Sequence, residues 1–172
     1  MATVIIRPNG VETVSGFDRT GTSLYQRLSD NDDSTFTTQN NSSAEIRVTL
    51  ETDSVYAGAT INSIQLIIIA SSSGRGSPSI TYSILNSSQT VLASDTDTFT
   101  TENATQIQGL TYSTSLTSTI VDGLQILIEP DSNGCKIHEA YIEVDYDPAI
   151  VLNGSVELKS GKFKIVSGKI KI

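Results

Sequence analysis

Tryptophan is missing from this 172-residue chain, and cysteine, histidine and methionine occur once each. The single cysteine, Cys135, excludes an intrachain disulfide and a thiolate cage for a metal. Standing after Asn133-Gly134, it reads as a small core or turn residue rather than a nucleophile. Long apolar runs are missing too. The longest, Leu66-Ile67-Ile68-Ile69-Ala70, falls far short of the ~20 residues a membrane-spanning helix needs. Positive charge is scarce: 11 Lys/Arg stand against 19 Asp/Glu, a formal net charge of −8. Phosphate binding relies on clustered Lys and Arg, so the expectation is no nucleic acid as partner. The start, Met1-Ala2-Thr3-Val4-Ile5-Ile6-Arg7-Pro8, has neither the basic beginning nor the apolar run of a signal peptide. It points to a protein made and kept in solution, away from membranes.

What is present is β-branched and hydroxylated. Apolar residues make up 37% of the chain and charged ones 17%, so the surface is expected to be rich in Ser and Thr rather than ionic. The apolar residues alternate. Ile46, Val48 and Leu50 share one parity, with Glu45, Arg47 and Thr49 on the other, the period of a half-buried strand. The same pattern runs through Ile80-Tyr82-Ile84, Leu124-Ile126-Ile128 and Ala140-Ile142-Val144-Tyr146. Residues 64–70 are apolar on both parities, as in a central strand covered on each side. Turn chemistry separates the runs, at Ser71–Pro78, Asn86-Ser87-Ser88 and Asp131-Ser132-Asn133-Gly134. Helix is expected only as short turns near Ser23–Ser29 and within Thr114–Gly123. Seven or more strands between irregular loops predict an all-β fold, a two-sheet antiparallel sandwich. The Cys and Trp marks of an antibody-type domain are absent, which favours a jelly-roll-like arrangement.

Composition shifts after Pro148. Residues 1–148 carry 6 Lys/Arg and 18 Asp/Glu, a net of −12, whereas 149–172 carry 5 Lys and one Glu, a net of +4. The sandwich body is therefore assigned to 1–148 and a basic β-repeat tail to 149–172. The tail repeats every seven residues, with Gly154, Gly161 and Gly168 each following Asn or Ser. Between the turns the pattern leaves only the short strands Val156–Leu158, Phe163–Ile165 and Ile170–Ile172, which do not make a stable meander alone. A repeat unit that cannot bury its own apolar side needs neighbours. Three tails around one axis would supply them, with Val156, Leu158, Phe163, Ile165, Ile170 and Ile172 inward as the contacts of a homotrimer. Lys159, Lys162, Lys164, Lys169 and Lys171 would then face outward, toward an acidic partner surface. The alternative is a tail folded back on its own sandwich as an extra hairpin.

Catalytic patterns are sparse. His138 stands at the start of a strand on the parity of Ala140, Ile142 and Val144. As a general base it would need an acid partner, and as a structural residue it needs only a hydrogen-bond acceptor. A nucleophile elbow, a His-Glu-x-x-His helix and a phosphate loop are not found in the sequence. Gly74-Arg75-Gly76-Ser77-Pro78 is followed by no helix that could cradle a phosphate. Carboxylates for glycoside hydrolysis would have to come from Asp95, Asp97, Glu129 or Asp131. Asp30, Asp32 and Asp33 form the best candidate for an ion, with calcium the cation that carboxylates at alternate positions suit. They do not follow the EF-hand spacing, and a solvated turn is the simpler reading. No other cofactor is implied, and the chain is expected not to be an enzyme. Among the tyrosines, Tyr82 and Tyr146 carry the buried parity. Tyr141, beside His138, Glu139 and Glu143, is the one expected to face outward, where a ring can stack on a sugar.

Two stretches carry a resemblance. Pro8-Asn9-Gly10, Gly16-Phe17-Asp18 and Leu24-Tyr25-Gln26-Arg27-Leu28-Ser29-Asp30-Asn31-Asp32-Asp33-Ser34-Thr35-Phe36 are similar to the opening of small jelly-roll virion proteins of tailed bacteriophages. Those often read Gly-Trp, a spacer, Tyr-x-x-Leu-Asp and an Asp-rich Ser-Thr-Tyr. Here Phe17 stands in place of Trp and Phe36 in place of Tyr. The closing Ala140-Tyr141-Ile142-Glu143-Val144-Asp145-Tyr146 resembles the last strand of the same group. The resemblance implies a virion structural protein, one that decorates or cements capsids or forms part of a tail or fibre. The homotrimer expected from the tail and the short chain favour a capsid decoration or cement protein that clamps major capsid protein or other virion protein subunits. The alternative it leaves is a receptor- or carbohydrate-binding module of a tail fibre.

Overall fold

A computed structural model describes residues 1–17, 24–31, 34–40, 43–52, 58–74, 77–99, 103, 105–130 and 134–149. The strands in chain order are β1 (Ala2–Ile6), β2 (Pro8–Ser15), β3 (Thr37–Thr38), β4 (Glu45–Leu50), β5 (Thr60–Ser72), β6 (Ser79–Leu85), β7 (Val91–Thr98), β8 (Thr105–Tyr112), β9 (Gln125–Pro130) and β10 (Cys135–Asp147). Two single-turn helices complete the set, α1 (Leu24–Arg27) and α2 (Ser118–Val121). Among the described residues, β1-β10-β5-β8 form one sheet, with β3 also on β10, and β2-β4-β9-β6-β7 form the second. Every pairing is antiparallel. This is the two-sheet sandwich of jelly-roll-like class that the alternating pattern predicts. No helix among the described residues is long and apolar enough to cross a membrane.

The alternation translates directly into the core. β4 presents Ile46, Val48 and Leu50 inward, and β9 and β6 add Ile126, Ile128, Ile80, Tyr82 and Ile84. From the first sheet come Ile64, Leu66, Ile68 and Ala70 of β5 with Ala140, Ile142, Val144 and Tyr146 of β10. Each fully buried Ile, Leu or Val stabilises the fold by about 1.5–3 kcal/mol relative to exposure. β5 lies inside its sheet between β10 and β8, and Ile67, on its other parity, is also buried. Gln65 and Ile69, on that same parity, are only half-buried, so the doubly apolar run marks a strand central in its sheet rather than the one covered on each side that the sequence predicts. Tyr82 is the largest fully buried side chain. Its hydroxyl donates to Asp97 at 2.6 Å. Burial first, and the Asp97 carboxylate second, push the phenol well above its ordinary pKa, so it stays a donor. Cys135 is a core residue, and burial pushes its thiol up to about 12.

The edge of the first sheet is shared between two segments. β1 runs along residues 142–146 of β10, while β3 pairs with Lys136 and Ile137. Between them the Ala140 amide donates to the Leu28 carbonyl, 3.1 Å away. The α1 turn thereby fills the gap in the edge. The sequence parity of β10 also needs one correction. A bulge between Ile137 and Glu139 inserts one residue into the ladder with β5. Ile137 and Ala140, of opposite parity, consequently both enter the core, and His138 and Glu139 are buried together.

Candidate functional site

The outward face of the first sheet gathers polar side chains in rows set by strand register. Thr3 of β1 lies opposite Asp145 of β10, which lies opposite Ser63 of β5. The next row is Ile5, Glu143 and Gln65, and the one after pairs Tyr141 with Ile67. Alternation places Tyr141, Glu143 and Asp145 on one face, about 7 Å apart along the strand. A groove of about 410 Å³ opens over the first two rows, lined by Thr3, Ser63, Gln65, Glu143 and Asp145 with Met1 and Ala2. Its side chains are hydroxyls, an amide and carboxylates. Gln65 turns its Nε2 to the Gly109 carbonyl at 3.4 Å, which leaves its oxygen as the acceptor end. Asp145 Oδ1 is shielded from solvent and has no hydrogen-bond donor among the described residues. The Met1 ammonium sits 3.0 Å from Asp147. That charge and its hydrogen bond hold the exposed Asp147 carboxyl below its usual range.

Beyond Tyr141 the face becomes an anchored cluster. Arg7, just past β1, places its guanidinium over the Tyr141 ring at 5.0 Å. The same group donates from Nη1 to Glu139 Oε2 and from Nη2 to Asn31 Oδ1, each at 3.1 Å. Glu139 is 3% exposed, so Arg7 compensates a carboxylate that water barely reaches. Phe36 tilts over the His138 ring at 5.4 Å between centroids, with the Lys136 ammonium 4.7 Å from the Phe36 ring. His138 Nε2 lies 2.8 Å from Ser71 Oγ. Ser71 is fully buried, so this Ser–His contact offers no nucleophile to a substrate and reads as structural.

The other candidate residues separate. Asp95 and Asp97 share the register of Tyr82 and Ile80, the inward parity, whereas Glu129 pairs with Thr81 on the outward parity. Asp97 accepts from Tyr82, and Asp95 Oδ1 accepts from the Thr96 amide at 2.8 Å. These carboxylates therefore do not converge on one bond, and Asp131 lies outside the described residues. Asp30 is exposed and accepts from Thr35 Oγ1 at 2.6 Å, a local turn contact, while Asp32 and Asp33 lie outside the described residues. No group of three or more His, Cys, Asp or Glu side chains suited to a metal occurs among the described residues. Phe17 is buried and Phe36 exposed, at 37%. The tail residues Val156, Leu158, Phe163, Ile165, Ile170 and Ile172, with the five tail lysines, all lie outside the described residues.

Tyr141 is outward as its parity predicts, though half-covered by Arg7. Sequence reasoning missed Thr3, Ser63, Gln65 and Arg7, which reach the site from strands distant in the chain. Glu143 and Asp145 were accessible to it, since they share the parity of Tyr141.

No family model and no curated protein matches this chain. Among solved structures it is similar to the C-terminal CBM6, a carbohydrate-binding module, of LamC, a marine laminarinase from Zobellia galactanivorans. The two are 12% identical with a TM-score of 0.49, over 83% of this chain and 98% of that one. It is also similar to the CBM1 of BiXyn10A in its apo form, 12% identical with a TM-score of 0.38, over 80% of this chain and 99% of that one. Neither of these two structures is a virion protein by its description.

Proposed function

We propose that this protein is a non-catalytic carbohydrate-binding module whose ligand lies along the outward face of the first sheet. The observation that carries the reading is the groove over Thr3, Ser63, Gln65, Glu143 and Asp145, one step along the strand from the fixed ring of Tyr141. Sugars present vicinal hydroxyls, which carboxylates and amides bind in pairs, and apolar C–H faces, which rings cover. A groove of acceptors with an aromatic ring one step beyond it suits that chemistry. The Arg7 contact limits the freedom of Tyr141 before any ligand arrives, which lowers the ordering cost of binding. In the setting suggested by the phage resemblance, such a module belongs to a tail fibre that meets a cell-surface glycan.

A glycan panel read by affinity electrophoresis or calorimetry tests the reading. Retention by at least one polysaccharide is expected, weakened about tenfold or more in Tyr141→Ala and in Asp145→Ala with the fold intact. A panel on which the wild type binds nothing would remove the proposal. The cement reading draws on a different feature, the seven-residue repeat of 149–172. In that reading the tails assemble a homotrimer whose lysines meet major capsid protein, and stoichiometric capsid binding without glycan affinity is its signature.

A further inference from the structure

Building on the groove as a glycan site, we infer that its preferred ligand carries protonated amines, a glucosamine-type oligosaccharide, and that uronate and sulfated glycans are refused. The lining is strongly biased toward acceptors. Glu143 and Asp145 stand two residues apart on one face of β10, each in the middle of its row. Gln65 has turned its donor end to Gly109 and so offers its oxygen. Thr3 and Ser63 hydroxyls can accept as readily as donate. The one positive group among the described lining residues, the Met1 ammonium, is engaged by Asp147. Arg7, the nearest guanidinium on this face, is turned to Glu139 and Asn31.

Asp145 is also under-compensated from the protein side. It lines the groove and its Oδ1 has no donor among the described residues, so the charge of that carboxylate is left to be balanced by what the groove holds. Neutral hydroxyls supply donors but no charge. An ammonium supplies three donors and the missing charge in one group, and a carboxylate or sulfate supplies neither. The net charge of −12 on residues 1–148 adds a long-range field of the same preference. Two carboxylates about 7 Å apart match amines on neighbouring or alternate sugars better than one isolated charge would.

The test is calorimetric titration of the full chain, at mildly acidic pH where the amines are protonated, with three oligosaccharides of equal length. These are the glucosamine oligomer, its N-acetylated neutral counterpart, and an oligogalacturonate. The glucosamine oligomer is expected to bind at least tenfold tighter than the neutral one, and the uronate not at all. Raising salt should shrink that gap, because screening acts on the charged ligand alone. The double variant Glu143→Gln/Asp145→Asn keeps the shape of both side chains and should bring the amine and acetylated ligands to equal affinity. Equal affinities in the wild type, or tighter uronate binding, would overturn the inference while leaving a carbohydrate module in place. Binding of none of these, nor of any neutral glycan, would overturn both together.

Discussion

Replacing Arg7 with alanine perturbs the stability of the face and the shape of the site at once. The guanidinium is 22% exposed at its side chain and its partner Glu139 only 4%. The pair therefore sits nearer the buried than the surface limit. Removing one partner of a buried pair leaves the other charge without compensation and costs about 3–5 kcal/mol. The residual exposure of Arg7 lets water replace part of the interaction, which places the expected loss near the lower figure, about 3 kcal/mol. The contact with the Tyr141 ring adds about 0.5–1 kcal/mol. For a chain of this length each kcal/mol shifts Tm by about 2–4 °C, so a combined loss of about 3.5–4 kcal/mol should make Arg7→Ala melt roughly 7–16 °C lower by calorimetry. The companion Arg7→Ala/Glu139→Gln removes the orphaned charge and should recover more than half of the loss. A drop in Tm of under about 3 °C for Arg7→Ala, roughly 1 kcal/mol by the same conversion, would refute the account of Glu139 as a buried carboxylate dependent on Arg7. So would a double variant no more stable than the single one.

Three further outcomes follow from the same chemistry. Cys135, buried and with its thiol pushed up to about 12, should resist thiol reagents at neutral pH in the folded protein and react fully only in denaturant; fast labelling of the native chain would contradict its placement. At Gly109 an added Cβ would stand 2.5 Å from the Leu66 carbonyl and 3.0 Å from Tyr82 Cε2, so Gly109→Ala should destabilise by about 1–3 kcal/mol in urea unfolding. A neutral result would mean β8 sits farther from β5 than described. On the proposal that the tails assemble a homotrimer, Phe163→Asp should lower the solution mass from trimer to monomer by light scattering, without loss of the sandwich's circular dichroism; an unchanged mass would refute the tail as an assembly element.

The body was legible in the sequence wherever one residue type could lie on only one side of a strand. Glu45–Leu50 alternates cleanly because its inward residues meet the core and its outward ones meet water, and β4 follows that pattern residue by residue. The run at 64–70 also announced its position, since it lies on a strand flanked by β10 and β8 that buries Ile67 even on its outward parity, though Gln65 and Ile69 there stay half-exposed. The pattern fails at residues 137–139, where the bulge shifts the register and four consecutive residues, 137 to 140, are buried. Periodicity has no means of seeing an inserted residue, because the ladder that absorbs it belongs to another strand.

The site was less legible for a related physical reason. Tyr141, Glu143 and Asp145 share a parity on one strand, and that alone could have marked an outward polar stripe. The stripe becomes a groove only because β1 and β5 bring Thr3, Ser63 and Gln65 alongside, and these registers are set by core packing on the opposite face. Arg7 and Glu139 stand 132 residues apart, and their pairing depends on the register that sets Glu139 on the outward parity of β10 with Tyr141 and on the path of the chain between β1 and β2. The local sequence around Arg7 contains no hint of a carboxylate to meet it. The acidic run Asp30–Asp33 drew attention as an ion site because its residues are close in sequence; of its aspartates only Asp30 falls among the described residues, where it accepts from Thr35. Proximity along the chain concealed the groove. In a sandwich whose strands cross between sheets, chemistry collects across register rather than along sequence, so the outward parity of a central strand, read together with its neighbours, is where a binding face is to be sought.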